Sequence, residues 1–265
     1  PTQQSTQQKD PLERTWSMEP GAYQFKLIND AIPAVTFEVR ADGTVFYDDN
    51  VAGFLEGRGS TRLVVKGYPV TVDAQLLTPT QFNIPGVTPV PVSTQNDYTF
   101  QLLPGAYQIH VVGLAYGFTL SQNGTISYDA ALDVSNGGCF AGRGSTTLEL
   151  VGYAISVDAT RPSHQEFFIP GVTSQWTDAQ VPHAFQLLPG TYYLHHASGQ
   201  ATIFLVTAQG TIDYDPALDV PPGSTQGVFR GRGSTTLELV GYVVTVSAEQ
   251  LSTEGINYPY VTPDR

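Results

Sequence analysis

The chain has 265 residues and a formal net charge of −12 at pH 7, and only 14% of its residues are charged. An acidic surface repels phosphate backbones and anionic lipid, which argues against nucleic-acid binding. The single cysteine, Cys139, excludes an intrachain disulfide and a cysteine zinc site. No apolar run approaches the ~20 residues that span a bilayer, so we expect no membrane insertion.

The first segment of the chain, residues 1–15, is polar and rich in glutamine, with the run "PTQQSTQQKD" at its start. Such a composition buries too little apolar surface to offset the entropy of folding, so we predict a disordered lead-in. The sequence opens at Pro1 without a methionine, a basic segment or an apolar segment. This start fits a chain that has lost a leader or has been trimmed.

Three related segments follow, and they divide the remaining chain into repeats over 16–99, 100–184 and 185–265. Each repeat has a Pro-Gly pair shortly before a tyrosine, in "EPGAYQF", "LPGAYQI" and "LPGTYYL", and these pairs lie 84 and then 85 residues apart. Solenoid and propeller repeats are usually ~20–50 residues long. The longer period instead suits small β-sandwich or barrel-like domains.

The pattern within a repeat predicts short strands. "GAYQIHV" alternates apolar and polar side chains, which is typical of a strand with one buried face. "FTLSQNGTISYD" holds two such runs joined at Asn123-Gly124, a strong signal for a β-hairpin. The other copies keep the glycine, as Gly43 and Gly210, which indicates a backbone position with positive φ. In "TTLELVGYAISVD" the apolar parity changes at Gly152, which indicates a bulge, a bend or a tight turn.

We therefore predict an all-β fold with little helix, made of three tandem β-sandwich or barrel-like repeats of about six short strands each. The stretches "TPVPVSTQND" and "TSQWTDAQVPH" favour units joined end to end, and the alternative is one closed assembly with pseudo-threefold symmetry. We expect equivalent segments to superpose strand for strand. The third copy has extra residues between Asp219 and Arg232, which we expect to form a surface loop.

A twelve-residue stretch, "GRGSTTLELVGY", occurs unchanged at 142–153 and 231–242 and as the looser "GRGSTRLVVKGY" at 57–68. Its arginine lies between two glycines in every copy. One interpretation is a binding site in which the guanidinium groups donate to a carboxylate or to sugar hydroxyls. The other is an ion pair within each copy, formed with the aspartate after "GTxxY". The candidate pairs are Arg58 with Asp48, Arg143 with Asp129, and Arg232 with Asp215.

Aspartates that follow the predicted hairpins form a candidate calcium site, because Ca²⁺ prefers oxygen ligands. They occur in "SYDAALDV" and "DYDPALDV", whereas the first copy lacks the later aspartate and no EF-hand pattern is present. The alternatives are solvated carboxylates and turn or cap roles. The candidate ligands are Asp129, Asp133, Asp215 and Asp219. We expect no other cofactor.

Aromatic residues without counterparts in the other copies are the better candidates for ligand binding. A tyrosine matched in every copy is expected in the core, whereas an unmatched one is expected at the surface, where it can stack on a sugar ring. The alternative is packing between repeats. These residues are Tyr116, Trp176 and Tyr193. His110 and His195 match each other, and both are expected on the solvent side of their strands because their neighbours are apolar.

These features favour a non-enzymatic protein with a structural, adhesive or scaffold role. The sequence has no "HExxH" or "GxSxG", and the serine of "GRGS" has no repeated histidine partner. The alternative is a carbohydrate-binding protein with repeated weak sites, and an enzyme with a site between repeats is a third. The expected partners are further copies of the protein or a glycan. An acidic composition rich in Thr, Gly and Tyr fits an extracellular or cell-envelope location.

Overall fold

The computed structural model describes residues 15–26, 34–160, 166–196, 201–220 and 228–240. Strands account for 46% and helix for 6% of the structure, which confirms the predicted all-β class. The helices within the described residues are single 3-10 turns of three residues. The strands form six sheets of two to five strands, which group into three units along the chain.

The first unit covers residues 15–66 and contains an antiparallel meander followed by a two-stranded sheet. The meander has the order β1-β2-β3, and the second sheet pairs β4 with β5. Its elements are β1 (Gly21–Phe25), β2 (Val35–Val39), β3 (Val45–Phe46), η1 (Asp49–Val51), β4 (Leu55–Glu56) and β5 (Val64–Val65).

The second unit covers residues 67–151 and is a sandwich of two sheets, with strand orders β13-β14-β6-β9 and β12-β11-β10-β7-β8. One core cluster lies between them. Its elements are β6 (Tyr68–Asp73), β7 (Gln81–Asn83), β8 (Val92–Ser93), β9 (Tyr98–Leu102), β10 (Gly105–Val111), β11 (Leu114–Leu120), β12 (Ile126–Tyr128), η2 (Ala130–Leu132), η3 (Val134–Asn136), β13 (Phe140–Ala141) and β14 (Thr147–Leu150).

The third unit covers residues 152–240 and has the same two-sheet arrangement, with orders β18-β15-β23-β22 and β17-β16-β19-β20-β21. Its strands enclose a second large core cluster. Its elements are β15 (Tyr153–Asp158), β16 (Glu166–Phe168), β17 (Thr177–Asp178), β18 (His183–Leu187), β19 (Gly190–His196), β20 (Ala201–Val206), β21 (Ile212–Asp213), η4 (Pro216–Leu218), β22 (Phe229–Arg230) and β23 (Thr236–Leu239).

The units are offset from the repeats of the sequence. The boundary placed between residues 99 and 100 falls inside β9, and the boundary between 184 and 185 falls inside β18. The reason is a parallel pairing between segments far apart in the chain: β6 pairs with β14, and β15 with β23. The period of the sequence therefore sets the length of a unit, but the sheet pairing sets where the unit begins.

Most equivalent segments of the copies form equivalent strands within the described residues, although residues 15–18 form none where their counterparts lie in β9 and β18. The meander β1-β2-β3 corresponds to β10-β11-β12 and to β19-β20-β21, and the glycine that begins each first strand pairs with the end of the second. Residues 221–227, which include most of the extra stretch in the third copy, lie outside the described part of the chain. The loop expected between Asp219 and Arg232 therefore stays a prediction.

The core forms as the alternation of side chains predicts. Tyr107, Ile109 and Val111 point inward from β10 and are buried, while the residues between them face outward. The Tyr107 hydroxyl donates to the carbonyl oxygen of Leu103 at 2.7 Å, which ties the start of the strand to the preceding Pro-Gly turn. The matching tyrosines of the first and third units make the same bond four residues back.

Candidate functional site

The outer side of the five-stranded sheet in the third unit exposes large apolar and aromatic side chains, which makes it the best candidate for a binding surface. On β19 and β20, Tyr193 pairs directly with Ile203, and both side chains are 50% exposed. Leu205 lies two residues beyond Ile203, on the same side of the strand, and is also exposed. Three large apolar side chains therefore share one solvent-facing surface.

Aromatic rings extend this surface toward the other edge of the sheet. Phe168 pairs with His195, and the two ring centroids lie 6.4 Å apart. Trp176 is 44% exposed and lies beside Phe168, with 5.9 Å between the ring centroids. We define the outer face of the third unit as Phe168, Trp176, Tyr193, His195, Ile203 and Leu205. Exposed rings in this arrangement can stack on a sugar ring or pack against an apolar protein surface.

The same side of the second unit has a different chemistry. The positions of Tyr193 and Ile203 are taken there by Gln108 and Gly117, which also pair with each other. Thr119 takes the place of Leu205. These small and polar side chains leave a shallow groove of about 580 Å³ that they line together with Pro85 and other residues. The aromatic surface is thus specific to the third unit, which argues against equivalent sites in these two units.

Two of the three aromatic residues singled out from the sequence belong to this face, and the third does not. Trp176 and Tyr193 are exposed on it, whereas Tyr116 is buried in the core of the second unit. The Tyr116 hydroxyl donates to the carbonyl oxygen of Pro189 in the next unit at 2.5 Å, and burial raises the pKa of this tyrosine far above its ordinary value. The prediction that Tyr116 lies at the surface is therefore wrong, because the residue packs between two units.

Phe168, Ile203 and Leu205 were not identified from the sequence. Ile203 and Leu205 lie in the run "ATIFLV", which is apolar at five of its six positions and so hides which side chains face outward. The neighbouring strand shows which side chains of this run face outward, because Tyr193 faces solvent and pairs with Ile203. His110 and His195 lie on the outward sides of their strands as predicted, and both are half-buried.

The arginine loop is held together by its own backbone and by one tyrosine. In the second unit, the backbone N–H of Arg143 donates to the hydroxyl oxygen of Tyr128 at 3.1 Å. The Ser145 hydroxyl donates at 2.8 Å to the carbonyl oxygen of Gly142 and at 2.9 Å to that of Thr147. The first and third units repeat these contacts at equivalent residues. The repeated serine therefore closes the loop.

Two of the three arginine side chains form an ion pair within their own unit, but with different aspartates from those predicted. Arg58 Nη1 lies 2.5 Å from Asp49 Oδ1 in place of Asp48. Arg232 Nε lies 3.5 Å from Asp219 Oδ2 in place of Asp215.

In the second unit, the charge of Arg143 helps to lower the pKa of Asp133, after the larger effect of hydrogen bonds from Ser135. Among the ion pairs between described residues, none joins Arg143 to Asp129, the predicted partner. Asp129 and Asp215 instead begin 3-10 turns, where their carboxylates accept from the backbone N–H groups of Ala131 and Ala217.

The later aspartates are bound to the tyrosine that holds the arginine loop. The Tyr128 hydroxyl donates to Asp133 at 3.2 Å, and the Tyr214 hydroxyl donates to Asp219 at 3.0 Å. Burial, together with the nearby carboxylate, raises the pKa of Tyr128 to about 12. Within the described residues, no three His, Cys, Asp or Glu side chains are grouped so that they could hold a metal ion. The four candidate calcium ligands thus have structural partners, and a calcium site stays an untested prediction.

Comparison with known proteins gives little further information. No family model matches the chain, and no curated protein matches it. Among solved structures, it is similar to the pilus adhesin SpaC from Lactobacillus rhamnosus GG, with 13% identity and a TM-score of 0.27. The match covers 78% of this chain and 35% of the adhesin, so the chain spans about a third of that protein. At this TM-score a common fold is not established, and we base no functional conclusion on the likeness.

The described residues include no helix that has both the length and the apolar character needed to cross a membrane.

Proposed function

We propose that this is a non-enzymatic structural or adhesive protein of the cell surface or the extracellular space, in which β units are joined in series with a fixed geometry. The observation that carries the proposal is a contact that occurs twice. The tyrosine at the end of the twelve-residue stretch begins the next unit, where its hydroxyl binds the hairpin turn of that unit while its ring packs against the preceding unit. The repeated stretch thus links neighbouring units as well as building its own.

Both tyrosines make this contact through the same atoms. The Tyr68 hydroxyl donates to the carbonyl oxygen of Gln122 at 2.6 Å, and the Tyr153 hydroxyl donates to that of Ala208 at 2.6 Å. The ring of each tyrosine covers the turn glycine of its own unit so closely that a Cβ atom there would lie 2.5 Å from the Tyr68 ring or 2.3 Å from the Tyr153 ring. On its other side each ring packs against the core cluster of the preceding unit. The turn glycine is therefore needed for contact as well as for its positive φ.

Apolar side chains strengthen each junction from the other side. Leu103 at the start of the second unit's meander is buried in the core cluster of the first unit, and Leu188 of the third unit is buried in the cluster of the second. Between the second and third units, the Gln186 N–H also donates to the Thr78 hydroxyl at 2.7 Å. The inserted leucine and the tyrosine that packs against the preceding unit together restrict the angle between neighbours, as a scaffold or stalk requires.

The proposal is tested by loosening the junctions and measuring the shape of the chain in solution. We expect Tyr68→Ala with Tyr153→Ala to increase the radius of gyration and the flexibility seen by small-angle X-ray scattering. The control is Tyr193→Ala, which removes an exposed tyrosine from the outer face of the third unit and leaves both junction tyrosines in place. A double variant with the same scattering curve as the wild type would contradict a role for these contacts in fixing the units.

Carbohydrate binding is a second candidate function, favoured by the exposed aromatic residues on the outer face of the third unit. We expect a glycan array, probed with and without Ca²⁺, to show a ligand whose binding is lost in Trp176→Ala and in Tyr193→Ala. The control is Trp16→Ala, since Trp16 is an exposed tryptophan in the first unit. Equal loss in all three variants, or no ligand on the array, would exclude this face as a sugar site.

A further inference from the structure

The second and third units are each completed by a strand that enters the middle of a sheet. In the second unit, β6 pairs in parallel with β14 on one side and antiparallel with β9 on the other. In the third unit, β15 lies in the same way between β23 and β18. We call this position the central slot. It lies between two strands that both come later in the chain than the strand that fills it.

The first unit has the counterparts of the two segments that flank a central slot, but none of its described strands pairs with either of them as β6 and β15 do. β5 corresponds to β14 and pairs only with β4 among the described strands. Residues 15–18 correspond to the end of β9 and form no strand. One sheet of the first unit therefore lacks the member that joins its two sides.

Apolar side chains on both walls of this slot are open to solvent. Trp16 is 57% exposed, Met18 39% and Val65 42%. Their counterparts in the third unit are buried in its core: Phe185, Leu187 and Leu239. Large apolar side chains at positions that are buried in a completed unit indicate a surface that another strand covers.

The hairpin turn of the first unit is open in the same way. A Cβ atom on Gly43 would have no atom within 4 Å, whereas Gly124 and Gly210 are covered by Tyr68 and Tyr153, which begin the strands in the central slots of their own units. Gly43 keeps the positive φ of its counterparts, at +79°. The turn of the first unit therefore has the backbone geometry of the two covered turns, but no tyrosine among the described residues covers it.

The sequence contains one further copy of the strand that fills a slot. Residues 241–247 read "GYVVTVS", which matches "GYPVTVD" at 67–73 and "GYAISVD" at 152–158. Val244 and Val246 take the places of Val70 and Val72 in the pattern, and those two are fully buried in the second unit. The segment itself lies outside the described residues. Three such tyrosines and three such turns occur in the sequence, and the described contacts pair two of each.

We propose that residues 241–247 of one copy fill the central slot of the first unit of a second copy, so that chains associate head to tail. By analogy with β6, the segment would run parallel to β5, and the Tyr242 hydroxyl would donate to the carbonyl oxygen of Ala41. Strand addition of this kind gains affinity from backbone hydrogen bonds and specificity from alternate side chains. This proposal does not depend on the function proposed above, since a stalk and a sugar-binding protein can each be built from one copy or from many.

A second copy fits this slot better than the same chain. No hydrogen bond joins the described residues of the first unit to those of the third, and each of these units packs against the second unit instead. A contact between the tail of one copy and the head of another is heterologous, so it extends into open chains unless the rotation closes a ring.

The junction between copies would be weaker than the two internal junctions. Leu103 and Leu188 enter the core of the preceding unit, but the first unit has Glu19 at this position. A carboxylate is costly to bury without a partner, so this apolar contact would be missing between copies. Association should therefore depend strongly on the concentration of the chain.

A complementation experiment tests the proposal. The donor-blocked variant, Val244→Asp with Val246→Asp, places charges on the segment that enters the slot. The acceptor-blocked variant, Val65→Asp, places a charge on the wall that docking would bury, at a position that tolerates it in the free chain because Val65 is exposed. The control is Val90→Asp, at an exposed site in the second unit. Molar mass is measured by size-exclusion chromatography with light scattering over a wide range of concentration.

We expect the wild type and the control to gain mass with concentration, and each blocked variant to stay monomeric. Mixing the two blocked variants should give a heterodimer and nothing larger, because only one junction can form. A labelled peptide of residues 241–249 should bind the donor-blocked variant, but not after Val65→Asp is added, and a scrambled peptide should bind neither. The proposal is overturned if the wild type stays monomeric at every concentration, whether or not the peptide binds, or if the acceptor-blocked variant still associates.

Discussion

Two glycines in one loop should respond very differently to the same substitution. In the second unit, Gly142 and Gly144 flank Arg143 and have φ values of +94° and +81°. Both lie in the left-handed region, where a residue with a side chain costs about 1–2 kcal/mol. The two positions differ in the space around them. A Cβ on Gly144 would meet nothing within 4 Å, whereas a Cβ on Gly142 would lie 1.9 Å from the carbonyl oxygen of Thr147.

The magnitude follows from what Gly142→Ala must displace. Real Cβ atoms essentially never lie closer than 3.0 Å to another atom, so the backbone at Thr147 has to move. This shift breaks the two hydrogen bonds from Ser145 that close the loop and disturbs the one between the Arg143 N–H and Tyr128. At about 1 kcal/mol for each bond, plus the strain, the cost is about 4 kcal/mol. Gly144→Ala should cost only the strain, about 1–2 kcal/mol.

Hydrogen exchange measured by mass spectrometry across a urea titration is the suitable assay, because three units need not unfold in one step. Peptides from β12 and β14 report the local free energy of opening in the second unit. We expect Gly142→Ala to destabilise these peptides by at least about 2 kcal/mol more than Gly144→Ala. The pairs Gly57/Gly59 and Gly231/Gly233 have the same geometry and should show the same order. If both glycines of a pair lowered the free energy of opening equally when replaced by alanine, packing around the first glycine would not be what fixes the loop.

Three further outcomes are expected. Because burial raises the pKa of Tyr128 from an ordinary 10 to about 12, the folded state favours its neutral form. The resulting stability is complete below pH 10 and is lost as the pH rises toward 12, and Tyr128→Phe should flatten this decline in melting temperature. Arg58→Ala should cost less than about 1 kcal/mol in a chemical melt, since its partner Asp49 is largely exposed. Cys139 is fully buried and its pKa is raised to about 12 by burial, so it should react with a thiol reagent only after unfolding.

Local patterns in the sequence predicted the strands and turns well. The alternation in "GAYQIHV" is the register of β10, and Asn123-Gly124 is the turn between β11 and β12, with a φ of +81° at the glycine. The parity change at Gly152 separates β14 from β15, where the chain passes from one unit to the next. Each of these features depends on residues a few positions apart, so the physical cause and the sequence signal lie in the same short stretch.

Pairings between distant segments could not be predicted in this way. β6 lies beside β14, and the paired residues Thr71 and Thr147 are far apart in the chain, so no short pattern marks the edge of a unit. The partners of the arginines could not be predicted from a short pattern either. In the second and third units, the aspartate that directly follows the tyrosine caps a 3-10 turn, so its carboxylate is engaged there. Tyr116 shows a different error. Its parity with Phe118 and Leu120 indicates burial, whereas the lack of a matching tyrosine in the other copies predicts exposure, and the parity is the stronger signal.

The three parts of the twelve-residue stretch have different tasks, and together they explain why its whole length repeats. The glycines, arginine and serine close a loop on the tyrosine of the same unit. Leu148 and Leu150 then fill the core beside the strand in the central slot. Gly152 and Tyr153 begin the next unit, where the Tyr153 hydroxyl binds the hairpin turn while its ring also packs against the core of the preceding unit. A change at the end of the stretch therefore acts on two units at once. A side chain that packs in two environments has fewer acceptable replacements than one that packs in a single environment. Packing alone therefore accounts for the repetition of the stretch, without a ligand common to the copies.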